Sequence, residues 1–179
     1  MSGAGTLMDS PIPPSGTQEP PYTHRALLCL GSNLGPRETL IYQALEEIKL
    51  LPQSALGRLS SLIETEPYGL KEQPPFMNQV AELFTDLEPA ELLASLLAIE
   101  SKLGRIRVQK WGPRLIDIDI LLMDKIIYKD EFLVLPHPDF HRRDFALKLL
   151  IELEPELVHP VLDKSLQELY QDLKMGGIK

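Results

Sequence analysis

Apolar positions along the chain fall into short unbroken runs and longer runs at helical spacing. Ala26 to Leu30 is continuously apolar, the pattern of a buried strand, and Gly31-Ser32-Asn33-Leu34-Gly35 turns it into a helix that Pro36 opens and that runs to about Leu51. Leu59 to Thr65 reads as a second strand and Met77 to Thr85 as a third. Between them, Glu66 to Pro75 carries three prolines and Gly69, which suits a loop. Pro89 opens an amphipathic helix in which Leu92, Leu93, Leu96, Leu97 and Ile99 recur as far as Leu103. Ile116 to Met123 is a further strand, with Lys125 to Tyr128 expected as its hairpin partner. Two more helices are expected near Phe145 to Leu153 and Lys164 to Met175.

The order βαββαβ predicts a ferredoxin-like α+β sandwich: an antiparallel sheet with its two helices on one face, C-terminal helices added, and the other face free for ligands. Residues 25–179 form one expected domain. Residues 1–24, rich in Gly, Ser, Thr and Pro, read as a disordered leader with neither the basic start nor the apolar stretch of a signal peptide. A chain of 179 residues, 44% hydrophobic and 25% charged, has the composition of an ordinary globular domain. No apolar stretch approaches the roughly 20 residues of a membrane helix, so no membrane partner and a cytoplasmic location are expected. The single Cys29 lies inside an apolar run and reads as a buried, inert thiol.

Charge changes this picture locally. The formal net charge is -8, which argues against a nucleic-acid partner, yet Lys102 to Arg114 holds Lys102, Arg105, Arg107, Lys110 and Arg114 with no acid among them. A cationic island in an acidic chain suggests a small polyanionic ligand, and the planar arginine fork suits phosphate oxygens. Directly after it come Asp117 and Asp119. On a strand they share one face with Cα atoms about 6.6 Å apart, close enough for side chains to grip a metal pair spaced about 3.5 to 4 Å. Carboxylate oxygens suit magnesium that carries nucleotide phosphates.

A second cluster is Leu135-Pro136-His137-Pro138, followed by His141, Arg142 and Arg143. Prolines restrict the backbone around His137, which could donate to a phosphate; Arg143 belongs to a site only if the fold brings it near Arg105 and Arg114. Tyr68, Phe76, Trp111 and Phe145 border loops, where two of them could stack on a flat heterocycle whose edge Asn78 could read. Blander roles fit the same residues taken singly: Asp-x-Asp on an exposed strand, a solvated basic loop, aromatics in the core. An RNA-binding sandwich is a competing class, but it requires exposed aromatics and a basic face where this chain puts Asp117 and Asp119.

Taken together, GSNLG at 31–35, PFMNQV at 75–80, LGRIR at 103–107, KWGPRLIDIDIL at 110–121, LPHP at 135–138 and RDF at 143–145 resemble the 6-hydroxymethyl-7,8-dihydropterin pyrophosphokinases of folate biosynthesis, over about Ala26 to Leu157. The resemblance implies a transferase that moves the pyrophosphoryl group of ATP to the hydroxymethyl oxygen of a reduced pterin, giving the pterin diphosphate and AMP. It implies that Asp117 and Asp119 hold two magnesium ions and that Arg105 and Arg114 stabilise the transferring charge. Arg107, His137 and Arg143 resemble further phosphate contacts, Trp111 a seal on the basic loop, and Glu100 an acid that organises the site. On the pterin side it implies Asn78 at the ring edge, Phe76 and Phe145 on the ring faces, and Thr65, Tyr68 and Gly69 completing the pocket. The chain departs from the pattern at Asp139, where many members carry a basic residue, with Arg142 as the candidate substitute. A monomer is the default expectation.

Overall fold

The computed structural model describes residues 20–67, 69–106 and 111–176. Its centre is strand β1 (His24–Ser32), flanked on one side by β4 (Phe76–Thr85) and on the other by β5 (Asp117–Met123), both antiparallel to it. β1 is longer than its apolar run because main-chain pairing continues through Gly31 and Ser32, opposite Asn78 and Met77. Alternation then divides its side chains between two cores. Ala26, Leu28 and Leu30 face helices α1 (Arg37–Lys49) and α2 (Pro89–Lys102), while Leu27 and Cys29 face the opposite side. α2 begins where the sequence puts it, with Pro89 in its first turn and a reciprocal cap between Glu88 and Glu91.

The expected second strand at Leu59–Thr65 is two strands: β2 (Ser54–Leu59) and β3 (Ile63–Thr65), both paired with β4. At the break, Ser60 N donates to Val80 O (2.9 Å), and the Ser60 hydroxyl, rather than a carbonyl, accepts from Val80 N (2.8 Å). A side chain substituting in the ladder produces a bulge and splits the strand. With the two counted as one broken strand, the order β2-β4-β1-β5 is that of the split βαβ sandwich.

Lys125–Tyr128 does not pair with β5. Asp124 turns the chain at φ +50°, and β6 (Tyr128–Lys129) pairs locally with β7 (Val134–Leu135). The outer edge of β5 is met instead by His137 N, which donates to Leu121 O at 2.8 Å.

The sheet face expected to stay open is largely covered. Helices α3 (Asp144–Leu153) and α4 (Leu166–Lys174) pack Leu147, Leu150 and Leu169 against Leu27, Val80 and Leu121. The reason is visible in the strands, which are apolar on both faces and need two layers of cover. The far end of α3 is tied down by Arg58, which donates to Leu153 O (2.8 Å) and to the buried Glu82 (2.6 Å); Arg25 also binds Glu82 at 2.6 Å. Burial pushes the Glu82 carboxyl up, but the hydrogen bonds from Arg58 and Arg25 outweigh it and hold it below its ordinary value.

Candidate active site

α3 and α4 leave open the end of the sheet where β5 begins, and Cys29, Gly31, Asn78, Asp117 and Asp119 line a cavity there. Across the strands, Asp117 lies opposite Gly31, Asp119 opposite Cys29, and Asn78 opposite Gly31 on the other side. All five share the α3 face. Gly31 is the floor between Asn78 and Asp117: a Cβ there would stand 2.8 Å from Asn78 Oδ1, so a side chain would displace the amide.

Cations surround the carboxylates. Arg105 Nη1 lies 2.7 Å from Asp117 Oδ1 and 2.7 Å from Glu100 Oε2. Glu100, 3% exposed, uses its other oxygen to accept from Ile118 N at 2.8 Å, which ties α2 to the start of β5. Arg114 Nε is 3.5 Å from Asp117 Oδ2, and its guanidinium lies 5.3 Å from the centre of the Phe76 ring. On the other flank, Arg143 Nη1 and His137 Nε2 are 3.7 and 3.8 Å from Asp119 Oδ2. The condition on Arg143 is met: it lines one cleft with Arg105 and Arg114.

His137 Nδ1 accepts from Asp139 N at 3.1 Å, which leaves the ring proton on Nε2, facing Asp119. Burial, with Arg143 adding to it, pushes its pKa down to about 4, so the ring is neutral at neutral pH. Asp119 is driven the other way. Burial and the neighbouring Asp117 carboxylate raise its pKa well above the ordinary carboxylate range, against the pull of Arg143 and Arg114. With 31% of its side chain open to the cleft, it remains accessible to a ligand.

Two crowded carboxylates, one of them destabilised as an anion, are a donor set that a hard divalent cation would relieve. Among the described residues no three His, Cys, Asp or Glu side chains gather as a metal-binding group, so further ligands would come from phosphate or water.

Asn33 and Gln73, which carry no motif of their own, join the two loops at the rim. Asn33 makes two bonds to the Arg114 backbone: its side-chain Oδ1 accepts from Arg114 N (2.9 Å) and its backbone N–H donates to Arg114 O (3.2 Å). Its amide also donates to Gln73 Oε1 (2.9 Å) and Pro74 O (3.0 Å), and Gln73 Nε2 donates to Trp111 O (2.9 Å). The only available signal was an amide at a strand end and another among prolines, both turn-forming contexts. Gly69, at φ +87°, underlies Trp111, with its Cβ position 3.4 Å from that side chain.

Thr65, Phe76, Asn78, Trp111 and Phe145 converge on a narrow cavity of about 40 Å³, to which the unexpected Cys29, Gly31 and Glu66 also contribute. Asn78 Nδ2 donates to Thr65 Oγ1 at 2.6 Å, which fixes the amide and leaves its oxygen over Gly31. Asp117 and Asp119 stand between this cavity and a wider cleft of about 670 Å³ that Arg105, Arg114, His137 and Arg143 line. Asp139 is on that cleft, whereas Arg142 lines a separate groove with Glu64 and Lys148 and does not substitute for a basic residue at 139. Tyr68 and Arg107 lie outside the described residues.

A family model described as 7,8-dihydro-6-hydroxymethylpterin-pyrophosphokinase (HPPK) matches residues 27–155. The 2-amino-4-hydroxy-6-hydroxymethyldihydropteridine pyrophosphokinase of Haemophilus influenzae is 39% identical over 135 residues, 75% of this chain and 84% of the relative. The folic acid synthesis protein fol1 of Schizosaccharomyces pombe is 38% identical over 154 residues, 86% of this chain but 21% of the relative, so the chain spans about a fifth of that protein's length. In backbone, the chain is similar to the wild-type HPPK-DHPS of Plasmodium falciparum solved with pteroate, with a TM-score of 0.64 at 18% identity, covering 83% of this chain and 42% of that one. At that identity the likeness concerns the fold alone.

Proposed function

Since the chain belongs to the 7,8-dihydro-6-hydroxymethylpterin-pyrophosphokinase family, we propose that it transfers the pyrophosphoryl group of ATP to the hydroxymethyl oxygen of 6-hydroxymethyl-7,8-dihydropterin. The observation that carries the reading is the position of Asp117 and Asp119, between an aromatic cavity with a fixed amide and a cleft ringed by cations. A flat ring in the first and a triphosphate in the second would meet at the two carboxylates.

In the reaction, the hydroxymethyl oxygen forms a bond to the β-phosphorus, the bond from that phosphorus to the oxygen bridging it to the α-phosphorus breaks, and AMP departs as the hydroxyl loses its proton. Such transfer requires little covalent help and mostly positioning and charge stabilisation. Arg114, Arg143 and neutral His137 face the space where phosphate charge accumulates. Arg105, held by Asp117 and Glu100, is positioned at the same point. When bound at Asp117 and Asp119, two magnesium ions would supply neutralisation of the phosphates and acidify the attacking hydroxyl.

Asn78 would read the polar edge of the pterin while Phe76 and Phe145 cover its faces. Closing the rim that carries Trp111 over bound substrates would exclude water from the transfer. No described helix is long and apolar enough to cross a membrane. We assign the activity to a single chain, because both halves of the site come from one sheet end. A coupled assay tests the assignment: AMP appearing only when the pterin is present is expected, and ADP instead would point to a simple kinase.

A further inference from the structure

His137 and Arg143 reach Asp119 from the two ends of one short segment, and the middle of that segment is held from outside the site. A single helical turn, Phe140–Arg142, lies between them and packs against α3 and α4. Phe140 is fully buried, and its carbonyl accepts from Arg143 N at 3.0 Å. Stacked on the Phe140 ring is His159, 4% exposed, with ring centres 5.1 Å apart and planes 20° from parallel. The same imidazole meets His141 edge to face, at 5.7 Å and 83°. His159 lines neither of the site's two cavities. Its orientation is fixed locally. Nδ1 accepts from Val161 N and Leu162 N, both at 3.1 Å, and the His159 backbone N–H donates to Lys164 O at 2.8 Å, closing the turn that leads into α4. Burial, with His141 adding to it, lowers the His159 pKa to about 4, so Nδ1 stays an acceptor at neutral pH.

We propose that His159 is a positioning residue for the phosphate side of the site: its ring, stacked on Phe140 and edge-on to His141, sets where Arg143 stands beside Asp119. The assignment rests on the ATP-dependent reading of the cleft. Stacking suits the role because it constrains a plane as well as a distance, whereas an aliphatic contact constrains little more than separation. A phenylalanine could supply the ring, but histidine in addition accepts the two amide protons of its own turn, which ties the plane of the stack to the backbone before α4. The route to the site is short. A Phe140 free to tilt moves the carbonyl that receives Arg143 N, and with it the guanidinium 3.7 Å from Asp119. His137 has its own tie to β5, through Leu121 O, so the larger shift falls on Arg143. A misplacement of about 1 Å costs about a hundredfold in rate, so a residue that touches no substrate still controls turnover.

Steady-state kinetics of pterin-dependent AMP release by the full chain, with magnesium and ATP, test this through variants that separate the ring from its acceptor atom. His159→Asn keeps an acceptor for the Val161 and Leu162 amides and removes the stack; kcat should fall about tenfold to a hundredfold with the KM for the pterin unchanged. His159→Phe keeps the stack and loses the acceptor; its thermal midpoint should drop while kcat stays near wild type. Added to Arg143→Ala, His159→Asn should cost little further, because the residue it acts through is already gone. Phe140→Leu, which removes the other ring of the stack, should repeat the loss of kcat and serves if His159→Asn does not fold. Wild-type kcat in either of these overturns the role. Turnover losses that follow the thermal midpoints of His159→Asn and His159→Phe also overturn it, as does a loss that multiplies in full with Arg143→Ala. A wild-type chain that releases no pterin-dependent AMP defeats the pyrophosphokinase reading itself, and the positioning role with it.

Discussion

Arg105 Nη1 rests 2.7 Å from Asp117 Oδ1 and at the same distance from Glu100 Oε2, so one guanidinium nitrogen links a buried structural acid to a candidate metal ligand. Glu100 therefore acts through others. Glu100→Gln keeps the size of the side chain and one acceptor for Ile118 N but weakens the grip on Arg105. Turnover is expected to fall about tenfold or more with a small change in pterin affinity, whereas Glu100→Ala also leaves Ile118 N unpartnered and lowers stability by about 1–3 kcal/mol. Steady-state kinetics and urea unfolding check the pair.

Asp119 is unfavourable as an anion in the ligand-free fold because burial and Asp117 both oppose its charge. Asp119→Asn should lower turnover by about a hundredfold or more, the scale of losing one preorganised electrostatic group, while leaving the thermal midpoint unchanged or higher. Activity near wild type with an unchanged magnesium requirement would remove Asp119 from the metal site.

Asn33 and Gln73 connect the Trp111–Arg114 segment to the loop ending at Pro75. Asn33→Ala should loosen both segments together. Faster amide exchange is expected around Leu70–Gln73 and at Arg114, with stability lowered by about 1–3 kcal/mol and turnover reduced. Exchange that rises in one loop alone would show that the two amides do not couple them.

Glu82 gives a pH signature far from the site. Its carboxyl is held below its ordinary value by Arg58 and Arg25 in the fold, so its stabilisation is present above the ordinary value of 4.5 and is lost as pH falls through the lower folded value. Thermal midpoints measured from pH 7 to pH 3 should fall more steeply in the wild type than in Glu82→Gln, which starts lower at pH 7.

His24 carries the opposite sign. Burial lowers its pKa, but hydrogen bonds with Asp124 and Glu88 outweigh this and raise it above its ordinary value of 6.5. The stabilisation is full below pH 6.5 and disappears as pH rises through the higher folded value. His24→Gln should flatten the stability profile in that window, as read by chemical denaturation at each pH.

What could be read in advance was what local pattern controls. The apolar run of β1, the proline starts of α1 and α2, and the shared face of Asp117 and Asp119 all follow from periodicity within a few residues. β2 has no clear local pattern, because Ser54, Ala55 and Gly57 have weak strand preference, and it forms because β4 offers a paired edge. Local pattern does not choose between β5 and β7 as the partner of β6: His137 meets the edge of β5, and β6 pairs with β7.

The same division holds in the site. Two carboxylates behind an arginine are a sequence pattern, but Arg143 meets Asp119 through the docking of α3, and His137 through its backbone bond to Leu121 on the edge of β5. The cover of α3 and α4 over most of that sheet face is equally a matter of long-range packing.

The central claim is the transfer of two phosphoryl groups as a unit, and phosphorus NMR of a mixture of protein, ATP, magnesium and 6-hydroxymethyl-7,8-dihydropterin tests it most directly. The account predicts a pterin-linked diphosphate and AMP, formed in equal amounts and absent without the pterin. A pterin monophosphate with ADP, or no pterin-linked phosphorus from folded protein, would contradict it.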